Sequence, residues 1–237
     1  MKNKLFVLTL FSLFCLNSQA TEINADEIAE GGRIYDKWWK ELKLEKPSST
    51  HPSYPATSKK QGASSWRCKE CHGWDYKGAK GIYGQGSHAT GIKGINSAKS
   101  MGTNEIVNVL KNNIHGYTNI MSNEALIKVA RFIKYGQVDI SKYINKKSKL
   151  AGGNLKHGKK IFIDSCKKCH GNDGRSINFK TNKNPEFVGT VAQHNPWEAI
   201  HKIRNGQPHT TMPNMNAKLD INMQIDLLTY LQSLPVK

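Results

Sequence analysis

The sequence predicts an all-α protein built from two similar halves in tandem. Apolar residues recur at helical spacing in both halves, and a short cysteine-bearing motif occurs once in each with similar helices around it. The 237 residues suit two domains at the common size of about 100–150 residues. The boundaries read as a leader at 1–20, a first domain at 21–145 and a second at 146–237.

The leader pairs Lys2 and Lys4 with an apolar run from Leu5 to Leu16, then Ser18 and Ala20 at cleavage positions. That is the pattern of a secretory signal cut after Ala20. The run is shorter than the about 20 apolar residues that cross a bilayer, so the mature chain is expected to carry no transmembrane segment. Phe14 stands before Cys15 where a lipoprotein signal carries a small residue.

The first domain opens on a helix starting near Glu27. Its Gly31, Ile34 and Tyr35 match Gly158, Ile161 and Phe162 of the second domain at the same spacing. The match then breaks: Phe162 stands just before Cys166, whereas a long irregular insertion, at about 39–64, separates Tyr35 from Cys68. The insertion holds Trp39, Pro47, His51, Pro52 and Pro55, with Trp38 at its edge. Beyond the motif, Ile106, Val109 and Leu110 mark a helix that ends near Gly116, Met121 lies in a loop, and Leu126, Val129, Phe132 and Ile133 mark a closing helix.

The second domain is the clearer copy. Asn154 to Cys169 reads as an amphipathic helix with Ile161 and Phe162 on one face. Trp197, Ile200 and Ile203 mark the next helix, stopping near Asn205 and Gly206. Met212 and Pro213 follow in a loop, and Ile225, Leu227, Leu228, Tyr230, Leu231 and Leu234 form a last helix that ends at Pro235.

With the leader removed, the cysteines are Cys68, Cys71, Cys166 and Cys169, in two CxxC pairs each followed at once by histidine, His72 and His170. CxxCH is the attachment signature of haem c. Two thiols three residues apart on a turn reach the two vinyl groups as thioethers, and the next histidine lies under the ring as proximal iron ligand. Two haem c groups per chain are therefore expected, on Cys68, Cys71 and His72 and on Cys166, Cys169 and His170. A zinc ribbon would account for four thiolates but not for the two histidines, and a redox dithiol needs a βαβ setting that is lacking here.

The sixth iron ligands are read as Met121 and Met212, which occupy matching loop positions after Gly116 and Gly206. A thioether there raises the potential of a histidine-ligated haem. Met215 is the runner-up to Met212. His88 and His115 are the rivals at the first haem, and His194, His201 and His209 compete at the second, where His209 also stands to control solvent access.

Lysine and arginine outnumber aspartate and glutamate by 35 to 18, a net charge of +17, and mean hydropathy is −0.58. The lean apolar content fits a core completed by a large cofactor. A basic surface on an exported chain points to acidic or membrane-bound redox proteins, not to nucleic acid. Lys69, Lys167 and Lys168, inside the motifs, are expected near exposed haem edges.

These residues resemble class I c-type cytochromes in the tandem dihaem form of bacterial periplasms. The resemblance runs through nearly all of the second domain, from Gly158 through CKKCHG to Met212, Pro213 and the closing helix with Tyr230. The first domain matches in pieces, at CKECHG, Met121 and Phe132, and departs at the insertion and at Trp66, Trp74 and Tyr76. The resemblance implies two cytochrome c class I-like domains with low-spin haem, acting as an electron carrier without catalytic residues of its own. The alternative is a dihaem oxidoreductase, such as a peroxidase or a sulfur-compound oxidase, or a cytochrome subunit of one, with an open first haem. A cysteine sixth ligand is ruled out because every mature cysteine belongs to a CxxCH motif.

Overall fold

The computed structural model describes residues 24–237; the leader, Cys15 and the cleavage position at Ala20 lie outside the described residues. The described chain is helical, and its β-pairing is confined to isolated bridges such as Gly78 with Lys93. None of its helices is long and apolar enough to cross a membrane.

Helix α1 (Ala25–Glu41) starts where the Asn24 side chain accepts the Asp26 N–H, with Asp26 and Glu27 in the positive first turn. It buries Ile34, Tyr35 and Trp38. After the insertion come the short turn α2 (Cys68–His72), then α3 (Thr103–Lys111) and α4 (Asn123–Arg131). The second half holds α5 (Leu155–Ser165), α6 (Lys167–His170), α7 (Val188–His194), α8 (Pro196–Asn205) and α9 (Ile221–Leu231).

Two helix crossings share one device. A Cβ on Gly31 of α1 would stand 2.1 Å from the Lys128 carbonyl of α4, and one on Gly158 of α5 would stand 1.9 Å from the Asp226 carbonyl of α9. Only glycine lets the backbones touch. Beside these contacts Ile34 and Tyr35 pack with Leu126, Val129 and Phe132 in one core, and Ile161 and Phe162 pack with Ile225, Leu227 and Leu228 in another. The cores meet at α1 and α8. A Cβ on Gly32 would stand 2.5 Å from the Asn205 side chain, and Trp74 and Tyr83, from the loop after α2, join the second core.

Several elements differ from expectation. The helix predicted from Asn154 to Cys169 breaks at Cys166, whose φ of −119° lets the chain restart as α6. Val109 is 38 % exposed, and Val107 takes the core position beside Ile106 and Leu110. The closing helix of the first half ends at Arg131 and gives way to a wider π turn over Phe132–Gly136, where the Gln137 amide donates to the Ile133 carbonyl. Helix α7 has too few large apolar residues to show a period; it buries Gly189, Thr190 and Ala192.

Candidate haem sites

The two CxxCH segments fold as the same turn. Each ends on a glycine in the left-handed half of φ space: Gly73 at φ 79°, ψ 162° and Gly171 at φ 81°, ψ 172°. Gly73 N–H donates to the Lys69 carbonyl at 2.9 Å and Gly171 N–H to that of Lys167 at 2.8 Å. The His72 carbonyl accepts from Gly78 and the His170 carbonyl from Ser176, at 2.9 and 3.0 Å. In the first, both cysteines and the histidine lie on α2; in the second, Cys169 and His170 lie on α6 and Cys166 caps it.

The cysteines are not paired with one another. Burial pushes the thiols of Cys68 and Cys71 up to about 12 and that of Cys166 up to about 11. A redox dithiol needs the opposite shift. Apolar surroundings that disfavour thiolate suit thioether bonds to the edge of a macrocycle. Among the described residues no three His, Cys, Asp or Glu converge as a metal-binding group, so the two CxxC pairs do not come together around one ion.

At the first site the His72 Nδ1 lies 2.8 Å from the Lys93 carbonyl, to which it donates, leaving Nε2 as the bare nitrogen. Burial pushes its pKa down to about 4, so the ring is neutral at pH 7 and able to bind a metal. The ring of His115 faces it, with centres 6.2 Å apart and planes 25° from parallel. Met121 is 5 % exposed and packs in the first core with Tyr117, Leu110 and Leu126. His88 is engaged elsewhere: Nδ1 lies 2.5 Å from Glu70 and the ring stacks on Tyr83 at 4.6 Å.

At the second site the His170 Nδ1 is buried without a hydrogen-bond partner among the described residues. Phe179, 44 % exposed, stands edge-on to the ring at 6.2 Å. An apolar ring left open beside a histidine fits a flat apolar cofactor lying over it. Met212 is half-buried on a tightly wound loop that contains His209 at φ 51°. Helix α1 grips this loop, with Glu41 accepting the His209 N–H at 2.8 Å and Asp26 accepting from the Asn214 amide at 2.9 Å. Met215 is 5 % exposed in the second core.

His201 is excluded from iron, since both ring nitrogens are used: Nε2 donates to the Gly32 carbonyl at 3.0 Å, and Nδ1 accepts from the Tyr76 hydroxyl at 2.8 Å. Lys69 corrects an expectation. It is 5 % exposed, ion-paired to the buried Glu70 at 2.6 Å and set over the Trp74 ring, so it faces no solvent. Lys167 and Lys168 are exposed as expected. Sequence reading also missed Asp36, buried on α1, which binds Arg67 just before the first motif and Lys202 of α8, the latter at 2.7 Å. A lone aspartate in an amphipathic helix carries no sign that it joins two distant cations.

Residues 153–231 match the family model described as Cytochrome C oxidase, cbb3-type, subunit III. The match supports a c-type cytochrome. It covers α5 to α9 and contains Cys166, Cys169, His170 and Met212. A cytochrome c domain brings covalently bound haem c, electron transfer at its iron and redox partners. No curated protein matches the chain.

Proposed function

We propose that the chain is an exported dihaem c-type cytochrome that carries electrons between periplasmic or membrane redox partners. The supporting observation is the shared turn: the CxxCH backbone inside the matched cytochrome c segment recurs at Cys68–His72, down to the conformation of the closing glycine. Cys68 and Cys71 hold one haem with His72 beneath it, and Cys166 and Cys169 hold the other with His170. When bound, each haem supplies a one-electron Fe(III)/Fe(II) couple. The polypeptide sets the potentials and fixes the two sites relative to each other. The Gly31 and Gly158 crossings support two domains of one plan, at 21–145 and 146–237.

Met212 would supply the sixth ligand of the second haem, from a loop that α1 ties down through Glu41 and Asp26. The His72 imidazole donates from Nδ1 to a carbonyl, which would orient its Nε2 and make it a stronger donor to a bound iron. With both haems bound, Cys68, Cys71 and His72 would hold one such couple and Cys166, Cys169 and His170 the other, so that the chain could take an electron from one partner and give it to the next. Trp74 carries the rigid connection: it follows the first turn directly, and its ring packs 4.9 Å from that of His201 on α8.

The test is a pyridine haemochrome count and a reductive titration of protein purified from a host that attaches haem c. Two haems per chain, reduced in two one-electron steps at different potentials, are expected. One haem per chain, or a high-spin ferric spectrum that binds carbon monoxide on reduction at both sites, overturns the relay.

A further inference from the structure

We propose that His115 is the second axial ligand of the first haem, in place of Met121, and that the insertion before the first CxxCH turn holds it there. The inference rests on the dihaem reading above and assigns a ligand within it.

Ring geometry is the first ground. A metal–imidazole bond is about 2 Å long, and a ring centre lies about 1 Å behind the bonding nitrogen, so two imidazoles on opposite sides of one metal have centres roughly 6 Å apart. His72 and His115 stand at 6.2 Å with nearly parallel planes.

Tautomer is the second. A ligating histidine usually anchors its other nitrogen on a protein acceptor. His72 anchors Nδ1 on the Lys93 carbonyl at 2.8 Å, and His115 Nδ1 lies 3.3 Å from Asn112 Oδ1. The bond to a carbonyl, which only accepts, leaves His72 with Nε2 to offer.

The third ground is the clamp. His51 Nε2 donates to the carbonyl of His115 itself at 3.1 Å, and Ser53 Oγ donates to the adjacent Ile114 carbonyl at 2.7 Å. The Asn112 side chain accepts the N–H groups of Ile114 and His115, both at 3.0 Å. His51 is backed by the Trp66 ring at 4.3 Å, just before the motif. The insertion thus ties the His115 loop to the segment that leads into Cys68. Met121 sits in the core, where a flexible thioether fills an irregular gap.

A bis-histidine first haem has a lower potential than the histidine–methionine second haem, which gives electron flow from first to second a driving force. The experiment begins with the haem count, since one haem per chain would overturn the dihaem reading and this inference with it. With two haems, near-infrared magnetic circular dichroism of the ferric protein is expected to show one bis-histidine and one histidine–methionine haem in equal amounts. His115→Ala should turn half of the haem high-spin and open to carbon monoxide when reduced. Met121→Leu should leave the spectrum unchanged. His115→Met, which keeps a ligand and so guards against misfolding, should give a second histidine–methionine signal and raise the lower potential. Two histidine–methionine haems in the native protein, or loss of half the low-spin signal in Met121→Leu and none in His115→Ala, overturns the assignment.

Discussion

The Tyr76 hydroxyl donates to Nδ1 of His201 across 2.8 Å, joining the loop after the first CxxCH turn to helix α8 of the second half. The direction is fixed by chemistry. Nε2 of the same ring faces the Gly32 carbonyl, which only accepts, so Nε2 carries the proton and Nδ1 is the acceptor. Tyr76→Phe leaves that buried nitrogen with only the Asn205 amide at 3.5 Å, and is expected to cost about 1–3 kcal/mol in denaturant unfolding.

The same histidine makes stability depend on pH. Burial pushes its pKa from the ordinary 6.5 down to about 3, against the pull of Asp36. A ring that protonates more readily unfolded than folded contributes its full stability above about pH 6.5 and loses it as pH falls toward 3, by up to about 1.4 kcal/mol per pH unit. His201→Gln should flatten the wild-type slope between pH 6 and 4. Asp36 acts in a lower window: burial raises its pKa, but Lys202 and Arg67 outweigh that and hold it well below the usual carboxylate range, so its contribution is lost only below about pH 4. Equal slopes in wild type and His201→Gln would show that the ring is solvated.

Gly158→Ala should destabilise by at least about 2 kcal/mol, because its methyl group would meet the Asp226 carbonyl and force α5 off α9. Gly152→Ala is the control: its methyl group would come no nearer than 3.8 Å, to the Tyr143 carbonyl, so thermal unfolding should barely move.

These glycines show why much of the fold was legible. Matching Gly31, Ile34 and Tyr35 to Gly158, Ile161 and Phe162 worked because a helix crossing makes the same demand wherever it occurs: no side chain at the contact and large apolar ones beside it. The two CxxCH turns could be placed from sequence because the motif is local: each folds as a short helical turn closed by a glycine. What sequence could not carry was pairing at long range. Lys69 looked like a solvent-facing lysine until Glu70, Tyr83 and Trp74 enclosed it, and His115 looked like one loop histidine among several until the chain brought it opposite His72.

The burial of Lys69 moves the expected docking face to the second turn, where Lys167 and Lys168 are exposed directly before the exposed Cys169. Replacing both lysines by glutamate should slow electron transfer to an acidic partner at low salt by about tenfold or more, and shrink the fall in rate that salt causes. Stopped-flow rates across a salt series measure both. An unchanged salt dependence would place docking elsewhere on the surface.

His51 acts on the first site through backbone alone, which makes its effect separable from loss of a ligand. Its Nε2 must be the protonated nitrogen, since the His115 carbonyl only accepts, and Nδ1 accepts the Ser53 N–H at 3.1 Å; the neutral ring satisfies both. Burial holds its pKa below 6.5, which keeps the ring in that state at neutral pH. His51→Ala removes both bonds and frees the loop without touching iron. Reduced protein should then bind carbon monoxide slowly and partially at one haem, as His115 exchanges on and off, while the ferric spectrum stays mostly low-spin. His51→Asn, whose amide both donates and accepts, should recover part of the protection. Carbon monoxide kinetics by flash photolysis separate the cases: a slow fraction confined to one haem and reduced in His51→Asn marks a positioning role. No binding in either variant would mean that the loop holds His115 unaided.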